Sequence, residues 1–310
     1  MKRFFPAFPA CALCVLSFAV IAHSQERKEF PPNTDVPPIA RTDPVNYREV
    51  PHCHGGVGTI ETQTLYDSDT FRTKLLFVRT GVLPPKTSIG EHLNRGCEEM
   101  YFVLDGPAQF TVDDRTAELP ARTTVLSPLR SSCGLYNPND TPVRFLNLAV
   151  STEKGKSSFV DYGDDLADRR VESPAPFRWT QFDRSLLHPA NNAHRGRGAI
   201  MFRRVWYDEN FETDWYFIDH CVLPPDTSIG YHQHNTIEEV YYVIEGTGRF
   251  TVNDTTSDVR PGDALPCRLH DSHGLYNNSD KPLEILVFSV ADGKSNDRWT
   301  VNWGDDLSGR

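Results

Sequence analysis

The chain has 310 residues, of which 38% are hydrophobic and 24% are charged, which is enough for two domains of ordinary size. Its formal net charge is −10, and no cluster of Lys and Arg interrupts it after the N-terminal segment, so we expect no nucleic-acid partner. The 23 prolines and the scarcity of long amphipathic repeats favour strands and turns over helices.

Residues 1–24 have the pattern of a secretory signal peptide. Lys2 and Arg3 supply the positive start, an apolar run extends over residues 10–22, and small residues stand at Ala22 and Ser24. The run is short for a membrane span, although an uncleaved anchor is the alternative. We therefore expect a secreted or periplasmic protein, cleaved near Ser24 and no longer bound to the membrane.

The cysteine pattern does not indicate a disulfide scaffold. Cys11 and Cys14 would leave with the signal peptide, and the other five cysteines are few for a chain of this length. One disulfide is compatible with an oxidising compartment, but the pattern favours free thiols. The remaining cysteines are Cys53, Cys97, Cys133, Cys221 and Cys267.

An internal repeat follows a proline-rich arm over residues 25–50, which should be extended. LPPKTSIG at 83–90 returns 140 residues later as LPPDTSIG at 223–230, and EEMYFVLDG at 98–106 returns as EEVYYVIEG at 238–246. The repeat predicts one domain duplicated, with a first copy over 51–168, a linker over 169–193 and a second copy over 194–310.

Each copy consists of short runs of alternating apolar residues that are separated by turn residues. Examples are 73–80, 109–112, 143–150 and 283–290, with Pro-Pro, Asp-Gly or Gly-Thr-Gly between the runs. Strands of this length with regular turn signals predict an all-β fold, built as antiparallel sandwiches or barrels.

Four potential metal ligands lie in the second copy. In an extended strand, His232 and His234 lie on the same face about 7 Å apart, and Glu239 follows shortly. His273 comes 34 residues after Glu239, within the sequence HGLYN. Three imidazoles and a carboxylate form a natural cage for a divalent transition metal.

These residues resemble the two signature motifs of the cupin superfamily. The first is Gly-x-His-x-His-x4-Glu-x6-Gly from Gly230 to Gly246, and the second is His-x3-Asn from His273 to Asn277. The six-residue spacing to Gly246 selects Glu239 over Glu238 as the ligand. The duplication makes the chain similar to a bicupin, so the resemblance implies two tandem antiparallel jelly-roll β-barrels with one metal inside the second.

The resemblance implies that His232, His234, Glu239 and His273 hold this metal and leave two positions open for water or substrate. The mixed ligand set suits Mn, Fe, Zn, Ni, Co or Cu, so we expect one divalent transition metal per chain without naming it.

Three further residues are candidates for the pocket around the metal. Arg268 and His270 replace the Pro-x-Gly that the family carries before its last histidine. If they lie at the pocket mouth, Arg268 would bind a substrate carboxylate and His270 would act as acid or base; the alternative is that both are solvated loop residues. Tyr241 lies two residues after Glu239 and either lines the pocket or packs the barrel.

The first copy has lost half of this ligand set. The counterparts of the four ligands are His92, Asn94, Glu99 and Cys133. We expect a scaffold domain without metal, the alternative being a weak site of His92, Glu99 and Cys133. The sequence His-Cys-His at 52–54 precedes this copy, but nothing nearby completes a ligand set, so we predict a loop there.

Three classes of function are compatible with the pattern. The first is a metal-dependent enzyme that acts on a small carboxylate- or hydroxyl-bearing substrate, with oxygenase or decarboxylase chemistry favoured over isomerase or lyase chemistry by analogy with cupins. The second is a non-catalytic metabolite- or sugar-binding protein, and the third is a storage-like cupin. The expected partner is a small molecule, and further assembly as a homo-oligomer is compatible with the sequence.

Overall fold

The computed structural model describes residues 33–293 and 298–310. Within these residues nearly all regular structure is antiparallel strand, and the helical elements are five three-residue 3-10 turns, which confirms the all-β prediction. The predicted signal peptide and the first part of the proline-rich arm lie outside the described residues. In the described part of the chain, no helix is long and apolar enough to cross a membrane.

The two halves have matching series of twelve strands. The strands of the first half are β1 (Ala40–Arg41), β2 (Arg48–Pro51), β3 (Thr59–Asp67), β4 (Leu75–Leu83), β5 (Ser88–Arg95), β6 (Cys97–Val103), β7 (Ala108–Val112), β8 (Arg115–Leu119), β9 (Thr123–Ser127), β10 (Ser132–Tyr136), β11 (Val143–Ser151) and β12 (Ser158–Asp161). Those of the second half are β13 (Trp179–Gln181), β14 (His188–Asn191), β15 (Ala199–Tyr207), β16 (Trp215–Leu223), β17 (Ser228–His234), β18 (Ile237–Glu245), β19 (Gly248–Val252), β20 (Thr255–Val259), β21 (Asp263–Cys267), β22 (Ser272–Tyr276), β23 (Leu283–Ala291) and β24 (Thr300–Asn302). The 3-10 turns are Pro44–Asn46, Cys53–Gly55, Arg184–Leu186, Ala193–Arg195 and Asp208–Asn210.

Each half is a barrel made of a seven-stranded and a five-stranded sheet. In the first barrel the strand orders are β13-β9-β6-β11-β4-β3-β2 and β12-β5-β10-β7-β8. In the second barrel they are β1-β21-β18-β23-β16-β15-β14 and β20-β19-β22-β17-β24. Apolar side chains from both sheets of a barrel form one core, so each barrel encloses its own interior. These are the two tandem jelly-roll barrels that the family resemblance implies.

The seven-stranded sheets of the two barrels pack against each other. Along β6, Tyr101 and Val103 face the interior of the first barrel, whereas Met100 and Phe102 face a separate core shared with Val240 and other residues of the second barrel. Because both faces are covered, all seven residues of β6 are buried and the strand reads as a continuous apolar run broken by its two glutamates.

Each half contributes one strand and one glutamate carboxylate to contacts with the other half. β1 comes from the arm before the first barrel but pairs with β21 of the second, and β13 comes from the linker but pairs with β9 of the first. The Glu98 carboxylate accepts hydrogen bonds from the backbone of Thr213, and the Glu238 carboxylate accepts one from the backbone of Thr73. The first glutamate of each Glu-Glu pair therefore joins the barrels, while the second faces the barrel interior.

Candidate metal centre

The four predicted ligands converge inside the second barrel. β17 carries His232 and His234, the neighbouring β22 carries His273, and β18 brings Glu239 from the opposite sheet. All four side chains are buried, and their ligand atoms lie within 4.8 Å of one another. The cluster therefore forms between the two sheets because strand alternation turns all four residues inward.

Each histidine is held by its Nδ1 atom, which leaves its Nε2 atom for the cluster. His232 Nδ1 donates to the Gly230 carbonyl at 2.8 Å, and His273 Nδ1 donates to the Asp271 carbonyl at 3.1 Å. His234 Nδ1 is hydrogen-bonded to Thr300 Oγ1 at 2.9 Å. Fixing one ring nitrogen in this way sets the tautomer and orientation of a metal-binding imidazole.

The donor atoms of the cluster fit a divalent transition metal. Among the described residues, the buried Nε2 atoms of His232 and His234 have no hydrogen-bond partner, which is costly unless another group satisfies them. His273 Nε2 lies 3.2 Å from Glu239 Oε2, and His234 Nε2 lies 3.6 Å from it. A metal ion would satisfy all of these atoms at once, and imidazole with carboxylate is a donor set that suits first-row transition metals.

The protonation states also suit metal binding. Burial lowers the pKa of His232 well below its usual value, and the neighbouring histidines lower it further, so its Nε2 lone pair is available. Burial alone would raise the pKa of Glu239, but the charge of His234 and the hydrogen bond from His273 outweigh it, and the net shift is downward. Glu239 is therefore a carboxylate.

The glycine of the first motif permits a close contact behind the site. A Cβ atom at Gly230 would lie 2.4 Å from the His194 carbonyl oxygen and 2.6 Å from Gly196 N. Only glycine leaves room for the Ala193–Arg195 turn to approach β17 so closely. The first barrel repeats this contact, since a Cβ atom at Gly90 would lie 2.3 Å from the His54 carbonyl oxygen.

His194 is a fourth histidine at the centre, beside the three of the cluster, and the sequence reasoning missed it. Its ring stacks on that of His232 with centroids 3.7 Å apart and an interplanar angle of 6°. Burial and the charge of His234 lower its pKa to about 4, so it is neutral at ordinary pH. The available signal was the 140-residue offset, which aligns His194 with His54. The predicted loop at 52–54 includes a 3-10 turn in which His54 stacks on His92 in the same way.

A cavity of about 370 Å³ opens beside the cluster. Its walls are mainly apolar, and His194, His234, Glu239 and Tyr241 contribute to the lining. Arg204 and Asp219 also line it and form a two-pronged ion pair with distances of 2.8 and 3.0 Å, while the Arg204 guanidinium stacks over a phenylalanine ring. The apolar or weakly polar lining residues are Ala190, Ala193, Ile200, Phe202, Tyr216, Phe217, Cys221, Ile229, Ile237, Val287 and Thr300.

Arg204 and Asp219 were likewise missed from the sequence. Burial raises the pKa of Asp219 to about 6, although the Arg204 guanidinium lowers it in part. The 140-residue offset places Thr64 and Arg79 at these positions in the first copy. The sequence signal that could have found them is that the two copies differ at these positions, on strands that carry no motif.

Of the three predicted pocket residues, only Tyr241 lines this cavity. Its ring lies edge-on to His273 at 5.8 Å, and burial together with the charge of Glu239 raises the pKa of its hydroxyl well above the usual value. The tyrosine therefore lies beside two members of the cluster.

Arg268 and His270 are not among the residues that line the cavity, and their place at the pocket mouth stays a prediction beside the alternative of loop residues. Arg268 donates to the side chains of Asp35 and Asp271. The backbone between Arg268 and His270 donates at Leu269 to Glu238, which faces away from the barrel interior. This turn is therefore tied to the outer face of β18.

In the first barrel, the corresponding cluster of His92, Glu99 and Cys133 is also buried and close enough to hold a metal. However, internal donors saturate the Glu99 carboxylate. These donors are Asn147 Nδ2 at 2.8 Å, Tyr101 Oη at 3.2 Å, His92 Nε2 at 3.3 Å, Cys133 Sγ at 3.4 Å and, in a short contact, Asn94 Nδ2. Burial would raise the pKa of Glu99, but hydrogen bonds from His92 and the two asparagines lower it to about 2.

Two substitutions between the copies fill the interior of the first barrel. Asn147, which satisfies Glu99, corresponds to Val287 in the cavity wall of the second barrel. The buried ring of Phe145 lies over Gly81, where a Cβ atom would meet it at 2.5 Å. The second barrel has Ile285 and Cys221 at these positions, and Cys221 lines the cavity. The first barrel thus has a satisfied hydrogen-bond network where the second has a cavity and unsatisfied nitrogens.

All five cysteines of the described residues are unpaired, and four of them are buried, as the sequence favoured. Burial raises the pKa of Cys53, the one that is partly exposed, to about 11. A buried neutral thiol is unreactive, so these cysteines contribute packing.

Two segments of the chain, one in each barrel, are similar to known proteins. Residues 80–149 and 219–289 each match the cupin domain family. The oxalate-binding protein of Thermotoga maritima is 27% identical over 100 residues, which is 32% of this chain and 83% of that protein.

Two solved structures share the two-barrel fold. The first is a deletion mutant of oxalate decarboxylase from Bacillus subtilis, with a TM-score of 0.60 and 15% identity over 88% of this chain and 81% of that one. The second is salicylate 1,2-dioxygenase from Pseudoaminobacter salicylatoxidans with gentisate, with a TM-score of 0.59 and 15% identity over 79% of this chain and 77% of that one. At these identities the likeness shows the fold alone.

Proposed function

We propose that this chain, which carries two cupin domains, is a metal-dependent enzyme whose second barrel acts on a small carboxylate- or hydroxyl-bearing substrate. Oxygenase or decarboxylase chemistry is favoured. The single observation that carries the proposal is a buried cluster with unsatisfied Nε2 atoms on His232 and His234, and a cavity lined by His234 and Glu239 that is large enough for a small organic molecule.

The four converging side chains would hold one divalent metal, drawn from Mn, Fe, Zn, Ni, Co and Cu. Bound there, the metal would supply Lewis-acid or redox activation of an oxygen-bearing ligand. Tyr241 lines the cavity beside Glu239, and the apolar walls of the cavity exclude bulk water.

Arg204 is the group that would bind a carboxylate. It pairs with Asp219 through its Nε and Nη2 atoms, so its Nη1 atom takes no part in that ion pair. Arg is suited to carboxylate recognition because its donors lie in one plane and it stays charged. Two of the similar proteins have oxalate in their names, and the third is a salicylate dioxygenase, which supports a carboxylate ligand here.

The test begins with metal analysis of the purified protein, which should give one metal per chain. The loaded protein is then incubated with oxalate, salicylate and gentisate under air and without oxygen. Oxygen uptake would select an oxygenase, and carbon dioxide release without oxygen uptake would select a decarboxylase. Rearranged or cleaved product with neither would select an isomerase or lyase.

Arg204→Met and Arg203→Met form a matched pair for this test, because the two arginines are neighbours on β15 and Arg203 bonds Gln181 instead of lining the cavity. Arg204→Met should raise KM for a carboxylate substrate at least tenfold, and Arg203→Met should leave KM unchanged. A protein that binds no metal, or that turns over no candidate substrate, contradicts an enzymatic role.

A second candidate is a carboxylate-binding protein without turnover, favoured by the name of the oxalate-binding relative. Tight binding of oxalate by the loaded protein without product would select it, and a storage-like role would follow if neither metal nor small molecule bound. Export to a secreted or periplasmic location is also part of the proposal, on the pattern of residues 1–24. Mass analysis of the native protein should show a chain that starts near Gln25.

A further inference from the structure

The geometry points to His194 as a positioning residue of the metal centre. It holds the ring of His232 in the plane that aims Nε2 at the cluster, and Asn302 holds His194 in turn. The inference rests on the metal site of the proposed function but not on the reaction or the substrate.

The stack of His194 on His232 restrains the orientation of the His232 ring, which the hydrogen bond at Nδ1 does not fix by itself. The bond from His232 Nδ1 to the Gly230 carbonyl fixes one atom of the ring, and a ring fixed at one atom can still tilt around it. The His194 ring covers the face of His232 at 3.7 Å and is nearly parallel to it, with an angle of 6°. Tilting toward His194 would bring the two rings into overlap, so the stack blocks that motion, while the His273 ring contacts His232 at 4.3 Å between centroids.

The backbone conformation of the turn holds His194 in a fixed position. Asn192 and His194 both have φ of 50°, and Arg195 has φ of 62°, a conformation that non-glycine residues adopt only when their surroundings impose it. The turn is closed by Asn192 N donating to the Gly198 carbonyl at 2.8 Å, and it packs tightly on Gly230. Backbone strain that is held in place beside a buried cluster is typical of functional positions.

The short strand β24, which is the neighbour of β17, provides hydrogen-bond partners for the rings of His194 and His234. β24 pairs with β17 so that Asn302 is the direct partner of His232 and Thr300 is the partner of His234. Asn302 Oδ1 bonds His194 Nδ1 at 2.9 Å, and Thr300 Oγ1 bonds His234 Nδ1 at 2.9 Å. The two contacts are alternate residues of one strand, so they act from the same side of the sheet.

The first barrel contains the same device without the complete ligand set. His54 stacks on His92 with centroids 3.8 Å apart and an angle of 12°, and its Nδ1 atom bonds Asp161 Oδ1 at 2.7 Å. The chain therefore supplies its own control, because removing His54 removes an equal stack from a barrel in which we expect no metal.

The experiment measures binding of Co²⁺ to the full chain by competition with a chelator, together with the visible absorption of the bound ion. His194→Ala should weaken Co²⁺ binding by about ten- to a hundredfold, the usual cost of losing an outer partner of a metal ligand, and should change the absorption bands. His194→Phe keeps a flat ring over His232 and should recover affinity to within about threefold of the parent. His54→Ala should leave affinity and spectrum unchanged.

Three results would overturn the inference: affinity of His194→Ala within twofold of the parent, no recovery in His194→Phe, or an equal loss in His54→Ala. If His194→Ala does not fold, the Co²⁺ affinities of Asn302→Ala and Asp161→Ala are compared instead. A several-fold loss of affinity in the first alone supports the inference, and equal affinities contradict it. Absence of Co²⁺ binding in the parent would refute the proposed function itself, whereas normal binding with unaffected variants would refute only this inference.

Discussion

Asn147 and Val287 occupy matching positions in the two barrels. Giving each position the residue of the other should lower the stability of the first barrel and the metal affinity of the second. In Asn147→Val the buried Glu99 carboxylate loses a donor at 2.8 Å. A hydrogen bond to a charged group contributes about 1.5–3 kcal/mol, and four other donors remain on Glu99, so we expect a loss near the lower end, about 2 kcal/mol. Urea unfolding of the metal-free chain measures this loss.

The reverse change, Val287→Asn, should act on metal binding. An amide at that position in the cavity wall would donate to Glu239 as Asn147 donates to Glu99, and it would compete with the metal for the carboxylate. We expect Co²⁺ affinity to fall about tenfold, in the range that altered ligand surroundings produce. Val287→Leu adds apolar volume without a donor and is the control for crowding.

Two results would refute this reasoning about the interior of the barrels. One is an unfolding free energy of Asn147→Val within about 0.5 kcal/mol of the parent, the range of substitutions that disturb no specific interaction. The other is equal loss of Co²⁺ affinity in Val287→Asn and Val287→Leu, which would assign the effect to volume.

Three further predictions concern the ligands, the barrel interface and the motif glycine. His234→Ala should reduce the metal content from one per chain to none, and two metals per parent chain would contradict the loss of metal from the first barrel. Burial raises the pKa of Glu284, but hydrogen bonds from His220 and Arg184 lower it from 4.5 to about 2, so its contribution to stability is complete above its unfolded pKa and is lost as the pH falls toward 2. Glu284→Gln should therefore flatten the decline of the unfolding free energy between about pH 5 and 3, and an unchanged slope would contradict this role. Gly230→Ala should displace the Ala193–Arg195 turn and weaken Co²⁺ binding, whereas Gly90→Ala should destabilise the chain without changing the affinity; equal affinities in the two variants would contradict the role of the close contact.

The duplicated all-β fold and the four-residue cluster were readable from the sequence for a physical reason. Alternation along a strand is a local property, so His232 and His234 must share a face once the strand is recognised. The Glu-Glu pair was informative for the same reason, because one glutamate must face inward and the other outward. The cupin resemblance then implied the two-sheet barrel in which Glu239 and His273 meet these histidines.

His194, Arg204 and Asp219 were missed because their place at the cavity depends on contacts between distant segments. His194 reaches the site only because its turn packs on Gly230, and Arg204 and Asp219 lie on strands without a motif. Arg268 and His270 remain candidates for the pocket mouth. They are close to His273 in sequence, but Leu269 between them is bonded to Glu238, and neither of the two lines the cavity.

The exchange of β1 and β13 between the barrels has a consequence for how the chain could be divided. Each half completes its sheet with a strand that the other half provides, so neither half contains all the pieces of one finished barrel. The connection over residues 162–178 therefore joins two halves that depend on each other. It raises the effective concentration of one half in the presence of the other. Two polypeptides made by opening the chain within this connection should assemble into a heterodimer with the same interior, and each expressed alone should expose an unpaired sheet edge and aggregate.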